Sequence, residues 1–294
     1  MSVATPTVTK ADILDGLRET GIALGDTIMV HSSLSSFGKV DGGPEAVIDA
    51  LLEAVGPAGH VVMPSLTATY TTEIKGCSGL AFNPKTTPSR VGKITDLFWR
   101  RPNAARSAHP THSVACIGPQ AADWMAGHDK GSTFNWESAY GKYVHSGGKP
   151  CKLAFLGVSM VCNTTLHAVE DWLGLPYMCE SAAVVEVNGA PKTVKVISAP
   201  HGCRGFYKAD DRHHKLMAAT GLIRTAVAGG ATLSIIDARA CVAETIRQEL
   251  ETPGALLCIR PNCPFCTEGR AGILPIQKEV RARAQEVRRR GLSA

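Results

Sequence analysis

The sequence predicts an α/β fold in which helices pack against a sheet, and three observations carry that prediction. Short apolar strand-like runs alternate with amphipathic segments as far as residue 175. The helix-like segments open on capping or proline signals and close on glycine. No internal repeat and no low-complexity linker divides the 294 residues, so a single domain is expected.

Thr9-Lys10-Ala11-Asp12 has the form of a capping box ahead of Ile13, Leu14 and Leu17, which predicts a short amphipathic helix ended by Gly21. A strand is expected over 27–31. Gly42-Gly43-Pro44-Glu45 then opens a second helix with apolar positions at Val47, Ile48, Leu51, Leu52 and Val55 and a stop at Gly56. Residues 61–63 read as the next strand, and 67–87, rich in Thr, Gly and Pro, as a long loop. A helix over 91–101 and strands over 114–117 and 153–158 follow. In the second half, Ala182-Ala183-Val184-Val185-Glu186-Val187, the turn Asn188-Gly189 and a run over 193–197 have the pattern of a β-hairpin. A strand over 231–237, a helix over 238–251, a cysteine-bearing loop and a basic helix from Lys278 complete the chain.

Composition narrows the function classes. With 44% hydrophobic residues the chain can bury a substantial core, which excludes a disordered class. The net charge of +5 lies mostly in the terminal helix with its Arg288-Arg289-Arg290 run, so it suits a polyanionic small ligand and does not demand nucleic acid. Lys10, Asp12, Asp15, Arg18 and Glu19 interrupt any signal-peptide core, and no apolar run reaches membrane-spanning length. A cytoplasmic protein with no membrane partner is expected, and its ten cysteines are read as reduced thiols.

Three stretches offer chemistry. In Leu156-Gly157-Val158 through Asn163-Thr164-Thr165-Leu166-His167-Ala168-Val169-Glu170, a strand runs through a glycine turn into a helix that sets His167 and Glu170 three residues apart on one face. A carboxylate so placed can hold and polarise an imidazole, which is the arrangement of an oriented general base. The amides around Thr164 and Thr165 are expected to be open helix N-terminal donors. The second stretch, Val30-His31-Ser32-Ser33-Leu34-Ser35-Ser36-Phe37-Gly38 with Gly42-Gly43, is a polar glycine-rich loop that could meet an anion. It has neither the P-loop lysine nor a dinucleotide glycine pattern. The third is Arg106-Ser107-Ala108-His109-Pro110-Thr111-His112-Ser113-Val114, in which Arg106 could clamp a phosphate or carboxylate.

Taken in order, these three stretches closely resemble the aminoglycoside 3-N-acetyltransferase family. The resemblance implies a three-layer α/β/α fold with a central mixed sheet, distinct from the general N-acetyltransferase superfamily. It implies an acetyltransferase domain over 1–270 with a basic helix or tail over 271–294. The activity it implies is transfer of an acetyl group from acetyl-CoA to an amino group of an aminoglycoside or related amine. Direct transfer is expected because no cysteine sits in a motif, and a monomer or homodimer with no catalytic metal is expected. By the same resemblance His167 is the general base, Glu170 orients it, and Ser33, Leu34, Ser35, Gly38, Val40, Arg106, Ser107 and Ser113 line the coenzyme A site. Thr165 is a candidate donor to the oxyanion. Where many members carry a glycine-serine-proline turn, this chain reads Phe134-Asn135-Trp136-Glu137-Ser138-Ala139-Tyr140.

Two other readings compete. One is a metal-dependent hydrolase with zinc among His109, His112 and His167. The other is a binding module whose basic tail engages nucleic acid. Separately, Cys258, Cys263 and Cys266 include a C-x-x-C pair of the zinc-knuckle kind, for which His213 or His214 could supply a fourth ligand.

Overall fold

A computed structural model describes residues 7–67, 69, 79–145, 150–198 and 212–292. Much of the loop expected over 67–87 lies outside the described residues.

The chain begins with α1 (Lys10–Glu19), β1 (Thr27–Ser32), α2 (Gly43–Val55) and β2 (His60–Pro64). Thr9 caps α1 by the reciprocal bonds its sequence predicts: Asp12 N–H donates to Thr9 Oγ1, and Thr9 N–H donates to the Asp12 carboxylate at 2.8 Å. Next come α3 (Lys93–Phe98), β3 (Ala105–Arg106), β4 (Val114–Ile117), α4 (Ala121–Met125), α5 (Ala139–His145), β5 (Cys151–Leu156) and α6 (Thr165–Leu173). The helix expected over 91–101 is shorter: Gly92 before it stands at φ +119°, and Trp99 caps it after Phe98.

The remainder comprises β6 (Cys179–Val187), β7 (Ala190–Ser198), α7 (Arg212–Ala219), β8 (Arg224–Ala228), β9 (Ala231–Asp237), α8 (Ala238–Glu251), α9 (Pro264–Ile273) and α10 (Gln277–Arg289). Strands β6 and β7 form the expected hairpin, turned by Asn188 and Gly189 at φ +52° and +79°. The region read as a cysteine-bearing loop contains α9, which Cys263 precedes and Cys266 joins. Its proline at the first helical position was the available start signal.

Among the described residues the central sheet has the order β3-β4-β2-β1-β5-β9-β8. Strand β1 is parallel to both β2 and β5, whereas β4 and β9 run antiparallel outside them, so the sheet is mixed. Strand alternation sends Met29, Val62, Val114, Leu153, Phe155 and Ile236 to one face, where they meet apolar residues of α5, α6, α8 and α10. Ile28, Val30, Val61, Ala115, Ala154 and Leu233 point to the other, covered by α1, α2 and α3. The architecture is the expected three-layer α/β/α. Helix α10 is basic on its exposed side, yet Val280, Ala284 and Val287 are buried in the same core as α6 and α8.

Two positions fix how the layers close. Gly157, just after β5, has φ +66°, and a Cβ there would stand 2.3 Å from Ser36 Cβ. Ser36 Oγ donates to the Gly157 carbonyl at 2.8 Å, tying the loop after β1 to the turn after β5. Glu249, near the end of α8, accepts from Gly254 N–H at 2.6 Å and from Leu256 N–H at 3.2 Å, folding the chain back towards α9. Burial, reinforced by the nearby Glu170 carboxylate, raises Glu249 from its ordinary 4.5 to about 7, against the opposing pull of those amides.

Gly157→Ala should lose about 1–3 kcal/mol of stability in denaturant unfolding, because it adds both a left-handed backbone cost and the Ser36 collision. Since Glu249 holds its proton to higher pH when folded than when unfolded, its contribution to stability declines as pH rises from about 4.5 to about 7 and is level above that. Urea midpoints across that window should fall less steeply for Glu249→Gln than for the unaltered chain.

Candidate active site

The site is built at the carboxyl ends of β1 and β5. These strands are parallel neighbours, with His31 opposite Phe155 and Ser32 opposite Leu156, so the loops that leave them emerge side by side. After β5 the Gly157 turn and one 3₁₀ turn over Met160–Cys162 deliver the chain into α6. Asn163 organises the helix start: its side-chain oxygen accepts from Thr165 N–H at 3.1 Å and its carbonyl from Leu166 N–H at 3.2 Å. His167 N–H donates to the Thr164 carbonyl at 3.1 Å. The expectation of open amide donors at Thr165 is therefore corrected, because Asn163 occupies that amide. The buried Thr165 hydroxyl points at Met29 Sδ, 3.5 Å away.

His167 and Glu170 meet as their spacing predicts. Nδ1 of His167 lies 2.6 Å from Oε2 of Glu170, with side-chain exposures of 4% and 0%. A carboxylate only accepts, so Nδ1 carries the hydrogen and the lone pair of the neutral ring is on Nε2. The second carboxylate oxygen, Oε1, accepts from the Tyr177 hydroxyl at 3.2 Å. Burial, then the neighbouring Glu170 and Glu249, push the Tyr177 phenol well above its ordinary range, which keeps it a donor. Phe134 packs beside the His167 ring at 5.4 Å between centroids. Tyr177 escaped the sequence reading, and Phe134 was noted there only within the departing segment 134–140, since neither shares a motif or a helix face with His167.

The serine-rich loop lies next to the Gly157 turn. Ser33 Oγ and Ser35 Oγ are 3.1 Å apart, and Leu34–Phe37 forms a 3₁₀ turn closed by Gly38 at φ +83°. Ser35 and Gly38 are exposed; Ser33, Leu34 and Val40 are half-buried. Val40 is joined to Val8 by an isolated bridge. His31 belongs to this motif but drew no role from the sequence, although strand parity with Met29 places it on the α6 side of the sheet. Its ring stacks on Phe155 at 5.3 Å, its Nε2 is buried without a hydrogen-bond partner, and burial lowers its pKa to about 3.

The arginine segment does other work than its residue types suggest. Arg106 Nε donates to Ser113 Oγ at 2.9 Å, and its terminal nitrogens donate to the carbonyls of Thr87 at 2.5 Å and Ser65 at 3.2 Å. The guanidinium lies over the Trp99 ring at 4.2 Å, and burial lowers its pKa to about 10. These donors are committed to the protein's own loops, so here Arg106 clamps backbone carbonyls rather than an anion. Ser107 and Ser113 are fully buried. Ser107 Oγ accepts from Val114 N–H and Ser113 Oγ lies 2.7 Å from Ser65 Oγ.

A histidine network continues from Ser107. His128 Nε2 donates to the Thr133 carbonyl at 2.9 Å, so its Nδ1 accepts from Ser107 Oγ at 2.8 Å. His109 Nδ1 accepts from the amides of Thr111 and His112 at 3.3 and 3.0 Å, which leaves Nε2 to donate to Thr133 Oγ1 at 3.0 Å. Burial holds His109 well below its ordinary pKa and lowers His128 to about 4. With both ring nitrogens engaged, His109 has no lone pair for a metal, and the zinc reading of His109, His112 and His167 fails on that point. Among the described residues the metal-capable group lies elsewhere, at Cys258, Cys263 and Cys266. No helix among them is long and apolar enough to cross a membrane.

Comparison with known proteins gives one consistent answer. Aminoglycoside N(3)-acetyltransferase IV of Salmonella sp is 30% identical over 241 residues, covering 81% of this chain and 86% of that protein. Aminoglycoside N(3)-acetyltransferase III of Salmonella sp is 32% identical over 180 residues, a match spanning 62% of its length. The crystal structure of a histidine-to-alanine mutant of aminoglycoside acetyltransferase AAC(3)-IVa, in complex with gentamicin, superposes with a TM-score of 0.77 at 29% identity, covering 93% of this chain and all of that one. The model of the aminoglycoside 3-N-acetyltransferase family matches residues 29–248, which hold the serine-rich loop, the arginine segment and α6, and the chain belongs to that family of acyltransferases.

Proposed function

We propose that this chain transfers an acetyl group from acetyl-CoA to an amino group of an aminoglycoside or a related amine, with His167 as general base and Glu170 as the carboxylate that orients it. The observation that carries this reading is the buried 2.6 Å contact between His167 Nδ1 and Glu170 Oε2, which presents Nε2 as the basic atom. The relatives support the substrate classes: proteins named as aminoglycoside acetyltransferases align along most of the chain, and one is solved with gentamicin. Residues 1–270 serve as the transferase unit, and α10, within the 271–294 segment, packs onto it.

The chemistry follows from the groups present. An amine attacks a thioester only through a nitrogen lone pair, so His167 Nε2 removes a proton as the nitrogen closes on the acetyl carbon. The new C–N bond forms a tetrahedral oxyanion, its collapse breaks the C–S bond, and coenzyme A leaves as a thiolate that takes up the proton from the imidazolium. Two donors are available to the oxyanion. The Thr165 hydroxyl now rests on a weak thioether acceptor and can turn from it, and the buried neutral His31 offers an unpartnered Nε2. Burial pushes the thiols of Cys116 and Cys241 up to about 12, which suits direct transfer better than an acyl-enzyme on either.

Coenzyme A is assigned to the serine-rich loop, with Ser33, Leu34, Ser35, Gly38 and Val40 in contact. Arg106, Ser107 and Ser113 stand behind it as positioning residues that hold the adjoining loops. A related amine remains an acceptor beside aminoglycosides because the carboxylates of α6 are already bonded internally, Glu170 to His167 and Tyr177, and Asp171 to Ser132 at 2.6 Å. A thiol-release screen of aminoglycosides and simpler amines against acetyl-CoA tests the proposal, and no release with any of them would refute it.

His167→Ala should lower the rate of thiol release by about 10²–10⁴-fold while leaving coenzyme binding, measured by calorimetry, near its original strength. An active variant would remove the base assignment. Glu170→Gln should lower the rate and displace its pH profile, since a neutral amide no longer stabilises the imidazolium; an unchanged profile would leave Glu170 a packing role alone.

A further inference from the structure

The three cysteines of the segment between α8 and α9 converge. Cys258, Cys263 and Cys266 bring their sulfurs within 4.8 Å of one another, although the first two stand five positions apart in sequence. Three thiolates sharing a tetrahedral zinc at the usual 2.3 Å bond length stand about 3.8 Å apart, so a small contraction of this cluster completes the geometry. Cys258 and Cys266 are buried and Cys263 is half-buried.

A helix start, an amide donor and a cation surround the cluster. Cys263 is the residue before the first turn of α9 and Cys266 lies within that turn, where the helix dipole favours negative charge. Cys258 N–H already donates to Cys266 Sγ at 3.4 Å, the kind of amide-to-sulfur bond that stabilises a metal-bound thiolate. Arg270, one turn further along α9, donates to the carbonyls of Leu257 at 3.2 Å and Cys258, which places a cation beside the cluster. These features are independent of the amine acceptor and of the His167 assignment.

We propose that Cys258, Cys263 and Cys266 bind one zinc ion as a structural site. Binding releases the thiol protons and leaves three Zn–S bonds. His213 and His214 are not part of the cluster, so the fourth ligand expected from them is not supplied. The ion fixes the start of α9, from which Phe265 packs edge-on against Tyr177 at 6.3 Å. Gly269, on the next turn, brings α9 close to both Tyr177 and Leu257. Tyr177 in turn donates to Glu170, so the site braces the second hydrogen bond of the orienting carboxylate.

The test is metal analysis of the full chain, purified with reductant and without chelator. About one zinc per chain is expected, released by a mercurial thiol reagent and rebound by the stripped protein with a rise in Tm. Cys263→Ser, at the half-buried position, should lower the retained zinc at least several-fold, whereas Cys162→Ser, an exposed cysteine outside the cluster, should retain it. Background zinc in the unaltered chain, an undiminished content in Cys263→Ser, or an intact mass two hydrogens short that marks a disulfide in the cluster would each overturn the proposal.

Discussion

The contact between His167 Nδ1 and Glu170 Oε2 is the constraint on which the rest of the site depends. A carboxylate with no exposure is strongly disfavoured unless its oxygens are bonded, and Glu170 meets that demand through His167 on one oxygen and Tyr177 on the other. The same bond sets the tautomer of His167. One helical turn thus supplies both the burial of the acid and the orientation of the base, and everything packed around α6 holds that turn in place. Trp172 stacks on Trp136 at 4.0 Å, Asp171 bonds Ser132, and α10 buries its apolar stripe in the same core.

Sheet topology explains why the serine-rich loop and the helix that carries the dyad leave the same end of the sheet. Because β1 and β5 are parallel and adjacent, the loop after the first and the helix after the second must leave from the same end. Gly157 and Ser36 then join the two by a contact that no larger residue at 157 would permit. The arginine segment contributes differently: Arg106 gathers carbonyls from residues 65 and 87, and His128 and His109 bind Thr133, so this part of the wall is a hydrogen-bonded scaffold.

Much of this was legible in the sequence wherever the signal was local. The Thr9 capping box, the Asn188-Gly189 turn and the three-residue spacing of His167 and Glu170 each depend on neighbours within a few positions, and each appears as read. What escaped depends on partners far apart in the chain. Arg106 has the chemistry of an anion clamp, and only the fold shows its donors committed to carbonyls from two other loops. Tyr177 follows α6 without a motif, yet the turn at the helix end carries it back to Glu170. Among the described residues, strand β8 pairs only with β9 at the sheet edge and alternates weakly, so its residues gave no strong period.

The most direct test of the account is the tautomer of His167, read from its side-chain ¹⁵N resonances at a pH where the ring is neutral, with His167→Gln used to assign the signals. The account predicts a protonated Nδ1 with the shift of a hydrogen-bond donor and a pyridine-like Nε2. A protonated Nε2 with a pyridine-like Nδ1 would contradict it, because His167 would then have no bond to donate to Glu170 and no lone pair to offer the amine.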